Sequence, residues 1–227
     1  MEIKTTRQDY IHNLEQLQQK VTAMGLAASS AVCRAMEALT TGNAALARQV
    51  MQEDDRIDDM IVEIENRCLL LIAKQQPIAH DLRIIATGFK ISTDLERIGD
   101  HAFDIARTEL ELPRERGVRP EDFRFIRELA DSAVEMLDLS IQAYKHADVL
   151  LAEEVCKKDD AMDEQFARAF QECSPLMSEG PAGVRLGTQL LFIAHFLERI
   201  GDHAVNIAEW VIYLETAERI RKSEKHG

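Results

Sequence analysis

Proline and glycine are scarce, 5 and 10 among 227 residues. That leaves too few chain breaks for a many-stranded β fold or a low-complexity chain. Aromatic residues make up only 5%, and both shortages favour helices. No stretch approaches the roughly 18 consecutive apolar residues that a membrane-spanning helix needs. The start, Met1-Glu2-Ile3-Lys4-Thr5-Thr6-Arg7, has no apolar signal core. The expectation is a soluble, cytoplasmic protein with no direct membrane insertion. The 4 cysteines (Cys33, Cys68, Cys156 and Cys173) form no CxxC pair. They read as reduced thiols, Cys68 and Cys173 at apolar helical positions. Positive charge is short too: 27 Lys and Arg face 40 Asp and Glu, a net charge of −13. Such a chain repels a phosphate backbone, which disfavours nucleic acid, and it repels a bare anionic membrane. Hard cations and basic protein surfaces are the partners it favours.

The prolines mark connectors, because proline removes a donor and collides with the preceding turn of a helix. Pro77 follows Lys74-Gln75-Gln76; Pro113 and Pro120 bracket an Arg-rich run; Pro175 and Pro181 flank Leu176-Met177-Ser178-Glu179-Gly180. Weaker breaks at Thr40-Thr41-Gly42-Asn43 and His146-Ala147-Asp148 offer Asn43 and Asp148 as N-caps. Six long helices follow, over about 6–40, 43–75, 78–110, 121–146, 148–174 and 182–222. No stretch has the period of two expected of a strand.

The chain also repeats itself. Leu95-Glu96-Arg97-Ile98-Gly99-Asp100-His101-Ala102 recurs unchanged as Leu197-Glu198-Arg199-Ile200-Gly201-Asp202-His203-Ala204, an offset of 102. Arg83/Arg185, Ile105/Ile207 and Ala106/Ala208 extend the match. Upstream, Asn43/Asp148, Val50/Val155, Asp54-Asp55/Asp159-Asp160 and Asp58/Asp163 repeat at an offset of 105. Self-similarity on this scale is the mark of a duplicated structural unit. The fold expected is all-α: two tandem, pseudo-symmetric three-helix bundles, covering 1–112 and 120–227.

In the last helix Leu186, Leu190, Ile193, Leu197, Ile200, Ala204, Ile207 and Val211 alternate steps of four and three. That is a heptad seam, and it predicts bundle packing at shallow crossing angles. Ile91, Leu95, Ile98, Ala102 and Ile105 form its counterpart. Gly99 and Gly201 beside the seams read as points of close helix approach. The carboxylates fall off the seams. Glu96 and Asp100 are four apart, as are Glu198 and Asp202; on the second helix of each half Asp54 and Asp58, and Asp159 and Asp163, repeat the spacing. Like charges at i,i+4 share a face and repel. Where two such pairs meet, four carboxylates converge and favour a hard or borderline cation such as Mg, Mn, Fe or Zn. The plainer alternative is a solvated acidic face, but duplication of both pairs favours metal.

The neighbouring residues have structural explanations. Arg97 and Arg199 are expected to pair with acidic residues of a neighbouring helix, with capping of a binding surface the lesser alternative. His101 and His203 are expected to find polar partners, with ligation the lesser alternative. Asp104 extends the acidic stripe where the second half has Asn206. Asp81, opposite Gly183 in the repeat, suits a helix N-terminus. There is no Glu-x-x-His on both repeated helices, no GxxxxGK[ST], no GxGxxG and no HExxH. His195 precedes Glu198 by three, but Thr93 takes its place in the first half. Catalysis has little to stand on.

Gln75-Gln76-Pro77-Ile78-Ala79-His80-Asp81-Leu82-Arg83, followed by Asp94-Leu95-Glu96-Arg97-Ile98-Gly99-Asp100-His101-Ala102, resembles the PhoU family. These are regulators of the bacterial phosphate-specific transport system. The resemblance spans essentially the whole chain, with the second half matching less closely before Arg185. It implies paired three-helix bundles and surface metal sites, sometimes multinuclear, at Asp54/Asp58 with Glu96/Asp100 and at Asp159/Asp163 with Glu198/Asp202. It also implies negative control of phosphate uptake and of the phosphate-starvation response. Contact with the ATPase subunit of the phosphate ABC transporter and with a membrane sensor histidine kinase would exert that control, commonly by a homodimer. Two other readings stay open, a carboxylate-bridged metalloenzyme and a metal-free helical adaptor for another transporter.

Overall fold

The computed structural model describes residues 7–112 and 120–219. Within these, the chain is all helix: α1 (Arg7–Thr41), α2 (Ala44–Gln75), α3 (Ala79–Glu111), a 3-10 turn (Pro120–Phe123), α4 (Arg124–His146), α5 (Val149–Ala167), α6 (Ala169–Met177) and α7 (Pro181–Thr216). The expected termination of the connector at Pro113, the N-terminal residue 6 and the tail at 220–222 lie outside the described residues. Asn43 caps α2, its side chain accepting from Leu46 N–H at 3.1 Å, and Asp148 caps α5, accepting from Leu151 N–H at 3.0 Å. Each satisfies one of the free amides of a first helical turn.

The fifth predicted helix is two segments, α5 and α6, jointed at Arg168. There the Arg168 N–H reaches back only three residues, to the Gln165 carbonyl, a 3-10 tightening of the turn. Pro175 does not end the helix as expected but lies inside α6. The helix stops at Met177, and Gly180 takes φ +103° just before Pro181 opens α7. A nine-residue segment tolerates a proline because its stability comes from packing: Cys173 and Leu176 are buried, and Met177 lies against Gly187 of α7. The last helix ends at Thr216, with Ala217 left-handed and its N–H on the Tyr213 carbonyl.

Contacts across the helices define the arrangement. α1 and α2 run antiparallel, joined by Arg67 to Gln16, Lys20 to Glu63 at 2.7 Å and Arg34 to Glu53. α3 closes the first group against both, and α4, α5, α6 and α7 pack together as the second. Two antiparallel contacts join the groups. On one face Gly25 meets Ile141 and the Ser29 hydroxyl donates to Asp138 at 2.7 Å. On the other, Arg83 donates to the Leu214 carbonyl at 2.9 Å, Asp94 meets His203 and Asn206, and His101 stacks on Phe196. Repeat-related residues thus meet about a pseudo-two-fold axis that crosses α3 and α7 near His101 and His203. All the seam residues named from Leu186 to Val211, and from Ile91 to Ile105, are buried in one continuous core.

The tightest place between α1 and α4 is Gly25, where an added methyl group would stand 2.7 Å from Ile141 Cγ1. Gly25→Ala should therefore lower stability by about 1–2 kcal/mol, overpacking outweighing the gain in helix propensity. In a double-mutant cycle with Ile141→Ala, measured by urea unfolding, the two losses should sum to more than the double mutant shows. Strict additivity would place the two residues out of contact.

Candidate functional site

The eight carboxylates are set along two helix crossings. Gly99 of α3 lies so close to α2 that a methyl group built on it would stand 3.3 Å from Asp54 Oδ1 and 3.1 Å from Ile57 Cδ1. Gly201 of α7 lies equally close to α5, where the nearest atom is Met162 Cγ at 3.2 Å. Small residues permit this approach, as the sequence suggested. The consequence is electrostatic: the acidic pair on the second helix of each half is pressed towards the pair on the third.

In the first half Asp54 is half-buried and Asp58 exposed; in the second, Asp159 and Asp163 repeat that pattern. Glu96 and Glu198 keep 23% and 18% of their side-chain surface, Asp100 and Asp202 41% and 20%. These are positions beside the seams, half-buried at Glu96, Glu198 and Asp202 and more open at Asp100. Burial pushes the Asp54 carboxyl up to about 6, aided by the charges of Asp58, Asp100, Asp55 and Glu96. Asp58 is raised by burial and by Asp100, Asp55 and Asp59. Glu96 is raised by burial and by Asp100, with Asp58 adding and Arg97 opposing. Glu198 is raised by burial and then Asp202, with Asp163 and Asp159 adding and Arg199 opposing. Each foursome therefore meets as one mutually repelling group.

Part of that charge is met internally. Arg97 pairs with Asp100 at 3.0 Å and Glu96 at 3.4 Å, and Arg199 with Asp202 at 2.7 Å. These bonds lie within one helix, at i,i+3 for Asp100 and Asp202 and between adjacent residues for Glu96, not on a neighbouring helix as expected. Asp104 pairs with Arg107 at 2.8 Å on α3 and still feels the charge of Asp100, so it extends the acidic stripe with part of its charge met. Glu198 Oε2 is buried without a hydrogen bond, and His195 Nδ1 lies 3.5 Å from it. As the side chains stand, no three His, Cys, Asp or Glu among the described residues close round a common point as an ion would require.

The residues fit a metal in their chemistry. Oxygen donors of both helices share a groove, one buried oxygen has no hydrogen bond, and burial with mutual repulsion raises the proton affinity of Asp54, Asp58, Glu96 and Glu198. Rotation of the Asp and Glu side chains, with Arg97 and Arg199 swinging aside, is what ligation would ask for.

The two histidines diverge. His203 Nδ1 lies 2.9 Å from Asp94 Oδ1 across the α3–α7 interface, and Asn206 donates to the same oxygen at 3.2 Å. His101 instead stacks on Phe196, with ring centroids 5.8 Å apart. Its Nδ1 is buried without a partner, and burial pushes it down to about 4, with His203 and Arg199 adding. Asp94 and Phe196 occupy equivalent positions of the repeat, so this one exchange makes the two histidines different. Asp94 was missed from sequence. Its signal is the acidic residue standing where the repeat has phenylalanine, readable only once α3 and α7 are known to pack antiparallel.

The fold and site define a class: a duplicated all-α protein whose two halves meet about a pseudo-two-fold axis and carry matched acidic grooves. The PhoU domain model matches the chain twice, over residues 21–108 and 126–211. A phosphate-specific transport system accessory protein PhoU homolog of Clostridium acetobutylicum is 41% identical over 95% of this chain and 98% of its own. One from Pseudomonas aeruginosa is 35% identical over 94% and 88%. The crystal structure of PhoU from P. aeruginosa superposes with TM-score 0.86 at 34% identity, covering 92% of this chain and 100% of that one. That of the phosphate transport system regulatory protein PhoU from Streptococcus pneumoniae gives 0.85 at 28% identity, covering 93% and 99%. The chain belongs to the PhoU family.

A carboxyl with a higher pKa in the fold than in the unfolded chain stabilises the fold when protonated. For Asp54 that stability is complete below about pH 4 and is lost as pH rises through about 6. Between pH 5 and pH 7 this contribution falls while that of His101, kept neutral by burial, rises, so the Asp54 part is read as the difference between the metal-free protein and its Asp54→Asn variant. Asp54→Asn should raise stability at pH 7 by about 1 kcal/mol, discounted for partial solvent screening, and by less at pH 5, where the wild-type carboxyl is protonated in the fold. Identical pH profiles for the two proteins would show that Asp54 is not under this repulsion.

Proposed function

We propose that this protein is a non-enzymatic negative regulator of phosphate uptake and of the phosphate-starvation response. It acts by contact with the ATPase subunit of the phosphate ABC transporter and with its membrane sensor histidine kinase. The observation that carries this reading is the near full-length match to phosphate-specific transport system accessory proteins, 41% identity over 95% of the chain in one case. No described helix is long and apolar enough to cross a membrane, which suits a cytoplasmic partner of membrane proteins. The net charge of −13 suits basic surfaces on those partners. Two units, 1–112 and 120–227, are part of the reading, and the two domain-model matches support them. So is a homodimer: Leu69, Leu70, Ile72, Ile78 and Leu82 leave an apolar end exposed where α2 turns into α3.

Metal belongs to the same reading. Divalent or trivalent ions (Fe, Zn, Mn or Mg) are held at Asp54, Asp58, Glu96 and Asp100, and at Asp159, Asp163, Glu198 and Asp202. The raised carboxyl pKa values and the unpartnered Glu198 oxygen support this. Bound cations would relieve the repulsion within each groove and exchange the surface from acidic to neutral or basic.

Deleting the gene tests the regulatory role. Phosphate uptake and starvation-gene expression should become constitutive in phosphate-rich medium, and the wild-type gene should restore repression. Unchanged repression in the deletion strain would refute the role. For metal, untagged protein should carry bound ion that Asp54→Asn with Asp100→Asn reduces by about half, since two similar sites share the load. Equal metal in both proteins would put the ion somewhere other than these carboxylates, and none after supplementation with each ion would leave a metal-free adaptor.

A further inference from the structure

We propose that the groove between α1 and α4 is a docking site for a basic amphipathic helix of a partner protein. This rests on the regulatory reading above and adds the surface and chemistry of one contact. The groove has a volume of about 520 Å³ and lies where the two antiparallel helices part, beyond the tight Gly25–Ile141 contact. Met36, Val134 and Leu139 give it an apolar floor. Leu26, 60% exposed, stands two helical turns before Cys33 on the same stripe of α1 and prolongs the floor past its mouth.

The rim decides the occupant. Asp131, Glu135 and Asp138 follow one another at steps of four and three along α4, so they form a single acidic line beside the apolar one. Among the described residues no lysine or arginine lines the groove. Glu135 takes Lys158 of α5 at 2.9 Å, and Asp138 accepts from the Ser29 hydroxyl at 2.7 Å. An incoming helix laid along the floor would seat apolar residues at i, i+3, i+4 and i+7 and turn lysine or arginine towards this line. An acidic helix would meet like charge, and an anionic lipid surface would be repelled in the same way. The groove thus selects by sign as well as by shape.

Cys33 opens onto the groove as an exposed thiol, while Cys68 and Cys173 are buried. Partial burial, then Asp138 and Asp131, hold its pKa above the usual thiol value. Its alkylation therefore reports occupancy. The test uses the full chain with Cys156→Ser. The probe is a synthetic amphipathic peptide of about five helical turns with a leucine face and a lysine face. The control has glutamate in place of lysine. The lysine peptide should slow iodoacetamide alkylation of Cys33 about fivefold or more at saturation, and the glutamate peptide less than about twofold, with the difference shrinking at high salt.

Val134→Glu should abolish protection with unchanged circular dichroism. Should that variant not fold, Asp131→Asn with Glu135→Gln, both surface changes, should weaken lysine-peptide binding at least about threefold. No protection by either peptide, or equal protection by both, would overturn the proposal. So would slowing of alkylation by raised protein concentration alone, which would make the occupant a second copy. These outcomes are independent of the gene-deletion result: repression lost with an empty groove would retain the regulatory role and reject this surface.

Discussion

The close approach of paired helices at Gly99 and at Gly201 is the constraint from which the rest of the site follows. Without a side chain at those positions, α2 can lie against α3, and α5 against α7, near enough that carboxylates on one helix feel those on the other. Repulsion costs the bare fold stability, and an ordinary surface would have lost it by substitution at any one of eight positions. Its occurrence in both halves, at the same crossings, is what gives the acidic grooves a meaning beyond solubility.

The α3–α7 interface adds a second consequence. Packing two copies of one helix antiparallel brings identical residues together at the axis. His101 and His203 lie with ring centroids 5.8 Å apart. Two protonated rings there would repel. The exchange of Asp94 for Phe196 resolves it: His203 takes the carboxylate, and His101 is held neutral against an aromatic ring. Duplication supplied the symmetric frame, and one charged residue on one side made it asymmetric.

Most of the fold was legible because helix signals are local. Asn43 and Asp148 cap where their side chains predicted, and each seam residue from Leu186 to Val211 is buried. Pro175 misled because the effect of a proline depends on what the segment packs against, and α6 is held by α7 rather than by its own ladder. In the site, the four-residue spacing placed each carboxylate pair correctly on one face. Which helix Arg97 and Arg199 would serve was not readable. A guanidinium reaches an i+3 partner on its own helix as easily as a neighbour across a groove. Asp94 lay hidden because its partner is over a hundred residues away and depends on the register of two packed bundles. The acidic line of α4 could be read as a stripe, but not as a groove wall, before α1 was set beside it.

The central claim is that matched acidic grooves at the two glycine crossings hold cations. The most direct measurement is an anomalous difference map, at the absorption edge of each metal, from crystals of untagged protein grown with iron, zinc or manganese. The account predicts peaks between Asp54, Asp58, Glu96 and Asp100 and between Asp159, Asp163, Glu198 and Asp202, with Arg97 and Arg199 displaced from the carboxylates. No peak at either crossing under any of the metals, with both arginines still on Asp100 and Asp202, would contradict it.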